Sequence, residues 1–228
     1  LDSYKVTIIY SIVATVLGVV VMAMLAYPLS RPNYKYKKIA TFFIFFTMLF
    51  SGGLIPTYIW ITRYLHLGDT IWVYILPCLV NAFHVIVIRS FFQGLPQALM
   101  ESAKIDGASE LQTFFKIVMP LSKPVIATIS LLTLLSRWND WNTALIYIKS
   151  SNLYSLQYLL QKILREAEFV KNMADSSPVA GVDLDLSKLP SVTIRFAMCM
   201  VAAGPMLIIF PFFQKYFAKG LTVGAVKG

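Results

Sequence analysis

Charge is what this 228-residue chain has least of. Asp, Glu, Lys and Arg make up 14% of it, against about 25% in an ordinary soluble domain. Hydrophobic residues reach 57% and the mean hydropathy is +0.68. A soluble core of this size needs a polar coat, and there are too few charges to make one. A bilayer removes that need, because lipid covers apolar side chains. Cysteine is nearly absent too. Cys78 and Cys199 lie inside apolar runs, which excludes a disulfide framework and leaves them as small buried hydrophobes. The two histidines, His66 and His84, lack metal-ligand spacing, so no metal site is expected. Acidic residues are scarce, 11 against 20 basic, for a net charge of +9. That excess flanks apolar runs and forms no basic recognition helix, which excludes nucleic acid as a partner.

What the chain has is long apolar runs. Five spans are expected, at about 6–28, 39–61, 70–89, 124–148 and 190–213. Each approaches or exceeds the roughly 20 residues that cross a hydrocarbon core. Such runs are too long and too continuously apolar for barrel strands, so they are helices. The fold class is therefore all-α, a polytopic membrane protein with one transmembrane domain over 1–228. Pro56, Pro77 and Pro205 fall inside spans and are expected to kink them.

Loop charge sets the orientation. RPNYKYKK carries Arg31, Lys35, Lys37 and Lys38 and no acid, and the tail carries Lys215, Lys219 and Lys227 and no acid. The 89–123 segment has four basic and three acidic residues, whereas 149–190 on the opposite face balances five against five. The positive-inside rule puts the basic loops and the C-terminus in the cytoplasm and the N-terminus outside. An odd span count in a chain beginning at Leu1 leads to the expectation of one further helix upstream, with a true five-span protein as the alternative. On the outer face, 152–170 repeats Leu153, Leu156, Leu160, Ile163, Leu164 and Ala167 near helical spacing and reads as a surface helix. The polar stretch that follows, to Pro190, reads as irregular.

The most patterned stretch lies in the cytoplasmic segment 90–123. Pro96 suits a first helical turn, Gln97 to Ile105 reads as a short helix, and Gly107 breaks it. Ser109 then caps a second helix, with Gln112 in capping-box register. Two short helices at a fixed angle, leading directly into spans on both sides, make an element through which a push can move both spans.

Glu101, Ser102 and Ala103, then Asp106, Gly107 and Ala108, then Phe114, Ile117 and Pro120 fall in one register. This stretch resembles the signature loop of ABC importer permeases, with Ser102 where alanine is usual and Met119 where leucine is common. The resemblance covers essentially the whole chain. VMAMLAYPLSR, SRWNDWNTALIY and PFFQKYFAKGLTVGAVKG are similar to parts of maltose-type carbohydrate permeases, and the external SLQYLLQKIL segment resembles a branch that imports complex oligosaccharides, including alginate-type acidic fragments. The resemblance implies helices two to six of a six-helix core in the bacterial inner membrane. It implies a second permease subunit, two ABC ATPases, an extracytoplasmic sugar-binding protein, membrane lipid and an oligosaccharide substrate as partners. Glu101 to Gly107 would seat in an ATPase cleft, and the tail would enter the ATPase pair. The chain has no GxxxxGK[ST] sequence, so it is expected to be a transporter subunit and not an enzyme. No catalytic residue and no cofactor of its own are expected; ATP and Mg would belong to the ATPases.

A substrate path is expected at Arg137, Trp138, Asn139, Asp140, Trp141 and Asn142, polar and aromatic residues inside an otherwise apolar span. Charges at membrane depth face a bundle interior or a wet cavity. The alternative is a structural Arg137–Asp140 ion pair, three residues apart on one face, with interfacial tryptophans. Rival functions are an ABC permease for a peptide or other non-sugar solute, a secondary transporter, and a purely structural membrane subunit.

Overall fold

The computed structural model describes residues 2–176 and 196–211. Among them every regular element is helical. The longest, α1 (Asp2–Ser30), would extend about 43 Å at 1.5 Å per residue, enough to cross a bilayer. Its inward side is built from small residues and hydroxyls at helical spacing: Thr7, Ser11, Ala14, Gly18, Met22 and Ala26 are all buried. Lipid is as apolar as the side chains, so burial from water does not drive helices together there. Close packing does, and small residues permit it. An added Cβ at Gly18 would lie 3.1 Å from the Leu79 carbonyl oxygen, so this glycine is what lets the neighbouring backbone approach.

The other spans are broken. Residues 39–61 were expected to be one helix. Instead α2 (Lys37–Leu49) meets α3 (Leu54–Tyr64) at 111°. The break is at Gly52–Gly53, with Gly53 at φ +84, a left-handed conformation that glycine adopts without a Cβ clash. Pro56 is not the cause, since it sits in the first turn of α3, where a missing N–H is harmless. The expected 70–89 span is two tight turns over Ile71–Cys78 followed by α4 (Ala82–Gln93), bent by 46°. Asn81 starts α4, its side chain accepting the His84 N–H at 3.1 Å.

After α4 come α5 (Gln97–Ile105) and α6 (Glu110–Leu121), which meets α7 (Lys123–Trp138) at 81°. The expected 124–148 span is likewise interrupted: α7 stops at Trp138, and α8 (Asn142–Tyr147) resumes three residues later. The amphipathic α9 (Leu156–Ser176) covers that end of α1, where the Leu156 N–H donates to the Thr7 hydroxyl at 2.8 Å. Phe196–Pro211 forms α10. Helix α9 starts at Leu156 and runs to Ser176, beyond the expected 152–170 helix and into the stretch expected to be irregular; the rest of that stretch, the remainder of the expected 190–213 span and the 220–228 tail lie outside the described residues.

Two buried clusters are strung along α1. Tyr10 and Ala14 pack with Ile61, Val73, Tyr74 and Ile148 at one end. Met22 and Ala26 pack with Val85, Ile88, Phe92, Phe114, Val118 and Ile129 toward the other. The second cluster takes in α6, so the segment between α4 and α7 is packed onto the body of the molecule.

Candidate functional site

The α5–α6 element is fixed by interlocking helix ends. Pro96 stands just outside α5, at φ −58 and ψ 120, one position before the expected first turn. At the far end Gly107 takes φ +77, its N–H donates to the Lys104 carbonyl at 3.2 Å, and the Ala108 N–H reaches the Ala103 carbonyl at 2.9 Å. That pair of bonds is the Schellman closure, with glycine where the chain turns left-handed. Two residues later Ser109 accepts the Gln112 N–H at 3.2 Å while Gln112 accepts the Ser109 N–H at 2.9 Å, a reciprocal capping box. No slack remains between the two helices.

The signature residues divide by direction. Ala103 and Phe114 point inward and are buried. Ala108 and Ile117 are half-buried, while Glu101, Ser102, Asp106, Gly107 and Pro120 are exposed. Ser102, Ala103, Asp106, Ile117 and Pro120 line one depression of about 430 Å³ between α5 and α6. Glu101 accepts a hydrogen bond from Gln97 at 2.8 Å. Leu99, Ile105 and Leu111 are large apolar side chains left exposed on this polar end, Ile105 at 86%.

The anchor of this element was not legible in the sequence. Phe114 packs edge-on to Tyr27 at 5.2 Å. The Tyr27 hydroxyl donates to Glu110 Oε2 at 2.7 Å, and Arg31 lies 3.6 Å from the same oxygen. The Arg31 guanidinium sits over the Tyr27 ring and also donates to the Tyr27 hydroxyl and Met100 Sδ. Arg89 Nε donates to the Leu29 carbonyl at 3.1 Å. Arg31, expected only as an orienting charge, thus holds the end of α1 to α6.

The second site is the break between α7 and α8, near the opposite end of α1. Arg137 and Asp140 pair at 3.3 Å. Asp140 also accepts the Thr143 N–H at 3.0 Å and the Thr143 hydroxyl at 2.7 Å. Carbonyls at the break gain donors from outside the helix: Tyr10 donates to that of Arg137 at 3.0 Å and Ser155 to that of Asp140 at 2.9 Å. Trp138 corrects the expectation of a sugar platform at that position. It is 3% exposed, and its indole N–H donates to the Ala202 carbonyl at 2.9 Å, so it ties α7 to α10. Asn139 and Asn142 are exposed. Asn139 donates to the Leu135 carbonyl and accepts from Gln157 at 3.4 Å. Trp141 faces Arg165 of α9, whose guanidinium carbon is 5.5 Å from the ring centre. Gln157 and Arg165 are the members of this site that sequence reading missed.

A third arrangement steadies the same face. Asp69, at φ +56, accepts from the Ser150 hydroxyl at 2.6 Å and from the Ser150 and Lys149 N–H groups at 2.9 Å each. The Ser150 hydroxyl, followed by the two N–H donors, holds the Asp69 carboxyl below the ordinary carboxylate pKa. Among the described residues no cluster of His, Cys, Asp or Glu could hold a metal ion.

Residues 6–223 match the family described as Binding-protein-dependent transport system inner membrane component. The chain is 40% identical to the polygalacturonan/rhamnogalacturonan transport system permease protein YtcP of Bacillus subtilis (strain 168), covering 99% of this chain and 77% of that protein. It is 33% identical to the arabinooligosaccharides transport system permease protein AraQ of the same organism, over 97% of this chain and 72% of that one. Its fold is similar to a chain in the crystal structure of a bacterial ABC transporter involved in the import of the acidic polysaccharide alginate, with a TM-score of 0.78 and 30% identity over 95% of this chain and 74% of that chain.

Proposed function

We propose a specific role for a chain that belongs to the binding-protein-dependent transport system inner membrane component family: it is one of the two permease subunits of an ATP-driven oligosaccharide importer. The cargo class follows from the names of the relatives. The mechanical role follows from the α5–α6 element, and one observation carries it. Two helices locked by a Schellman closure and a capping box present Glu101, Asp106 and exposed apolar residues outward, while Phe114 and Glu110 bind the same element to the end of α1. A rigid body with one outward face and one anchored face transmits displacement.

In this reading the outward face docks on an ABC ATPase, on the cytoplasmic side with the C-terminus. A second permease completes the path, an extracytoplasmic binding protein delivers the sugar, and ATP and Mg are held by the ATPases. This chain binds no cofactor and carries out no covalent chemistry. Closure of the ATPases moves α6, and with it α1 and α7. The path passes the α7–α8 break, because non-helical backbone at membrane depth is tolerated where it is buried in protein or lines a wet cavity. Asn139, Asn142 and Trp141 are its candidate contacts. Arg137 and Asp140 shape the break, and Trp138 anchors it.

The test is the complete complex, purified with its partner permease, ATPases and binding protein, and challenged with a panel of oligosaccharides. A rise in ATPase rate with an oligosaccharide is expected. A rise with peptides and none with any sugar would replace the cargo, and uptake without ATP would replace the class.

A further inference from the structure

We propose that a notch on the outer face, between Trp141 and α9, receives a uronate unit of the incoming oligosaccharide, with Arg165 taking its carboxylate. The proposal rests on the import reading above and names the sugar chemistry this chain would favour. The notch is a cavity of about 120 Å³ with Trp141 and Leu145 on one wall and Tyr158, Gln161, Lys162, Arg165 and Glu166 on the other. Positions 158, 161, 162 and 165 fall three and four apart, so one face of α9 presents all four side chains over the break.

Arg165 is the cation set up for an anion. Among the described residues it forms neither an ion pair nor a hydrogen bond, and its charge is held by the Trp141 ring. An aromatic face attracts a guanidinium without consuming its N–H donors. Those donors lie in a fixed planar fork that matches a carboxylate bidentately. Arg137 cannot serve this way, because Asp140 neutralises it at 3.3 Å. Lys162 is shared with Glu166 at 3.9 Å, an exposed pair that is weak and salt-screened. Glu166 lines the same notch and offsets that charge, which leaves Arg165 as the cation for the ligand. Trp141 offers an apolar face beside the fork, and Gln161 an amide for sugar hydroxyls. The combination of one flat apolar wall and a few convergent polar groups is that of a small-ligand site.

The test uses the complete importer in vesicles, with binding protein in excess, and two probes: trigalacturonate and its fully methyl-esterified, uncharged form. ATP-driven uptake is measured for wild type, Arg165→Gln and Arg165→Lys at equal assembly. Arg165→Gln is expected to cut trigalacturonate uptake at least about fivefold and to leave the ester within about twofold; Arg165→Lys should recover part of the loss, since it keeps the charge without the fork. If the ester is not carried by wild type, the Gln-against-Lys contrast on trigalacturonate decides. Equal trigalacturonate uptake by all three proteins overturns the notch and leaves oligosaccharide import standing, as does equal loss in both variants or wild-type preference for the ester. If wild type carries neither probe but is stimulated by another, neutral sugar, the notch falls alone; if no sugar is carried, the import reading falls with it.

Discussion

The Tyr27 hydroxyl and the Glu110 carboxylate meet at 2.7 Å across 83 positions of sequence, and that contact joins the end of the longest helix to the α5–α6 element. Arg31 supports it from the side, and the Phe114 ring closes it from below.

Removing that joint should loosen coupling before it unfolds anything. Tyr27→Phe deletes two hydrogen bonds, to Glu110 and from Arg31, for a loss of about 2 kcal/mol. Glu110→Gln keeps the shape and removes the charge, and because Glu110 is largely exposed its ion pair adds little to stability. Both variants should assemble, with more ATP hydrolysed per sugar carried. The double variant should be less than additive, since the two groups share one contact. Additive effects in a double-mutant cycle of transport per ATP would separate them.

Gly107 should be replaceable by Asn more readily than by Val. Nothing lies within 4 Å of where its Cβ would point, so the cost is conformational and not steric. A left-handed residue other than glycine costs about 1–2 kcal/mol, less for Asn and more for a β-branched side chain. Gly107→Val should therefore spoil the angle between α5 and α6 and uncouple ATP use from uptake while the spans stay folded. Glu101→Ala should uncouple through the docking face alone. Normal uptake per ATP in both would remove this element from the coupling path.

The Asp69 tie should fail in acid. Its carboxyl titrates below the ordinary value of about 3.9, so its contribution is complete above that value and is lost as the pH falls through the lower folded one. Asp69→Asn should flatten this dependence while tolerating the positive φ. Amide exchange at Lys149 and Ser150 between pH 3 and 5 reads it directly: protection should fall toward pH 3 in wild type and be low throughout in Asp69→Asn.

Gly18 should tolerate little. Alanine there puts a methyl 3.1 Å from a backbone oxygen, which must shift by a few tenths of an ångström, and the thermal midpoint should fall modestly. Leucine should prevent α1 from packing against residues 78–82 and abolish assembly. An unchanged midpoint in Gly18→Ala would mean that the Leu79 carbonyl yields freely.

What could be read in advance was local. Ser109 and Gln112 are three apart, Gly107 stands alone between two patterned runs, and the apolar repeat of α9 needs only a window of residues. The breaks were hidden because apolar composition measures the length of a run and not its direction. Gly52–Gly53 turns the chain through 111° without altering hydropathy. Arg137 to Asp140 looked like polar residues inside a helix because the donors to their carbonyls, Tyr10 for Arg137 and Ser155 for Asp140, come from other segments. Trp138 was misplaced for the same reason, its acceptor being 64 residues away at Ala202. Pairs such as Arg31 with Glu110 leave no periodic trace at all.

The small-residue side of α1 also bears on how the protein is made. Helix α1 packs chiefly against α4 and α7, the latter beginning at Lys123. At about 5–20 residues per second, α1 leaves the ribosome several seconds or more before that last partner exists. During that interval its hydroxyls face lipid or the insertion machinery, satisfied only by carbonyls one turn back in their own helix. Among the described residues, the buried hydroxyls of Ser11 and Thr15 have no hydrogen-bond partner. The hydroxyl-bearing face of α1 is thus open to premature pairing during synthesis, and a quality-control protease that recognises an unpaired polar face in the bilayer would find one on α1 in that interval.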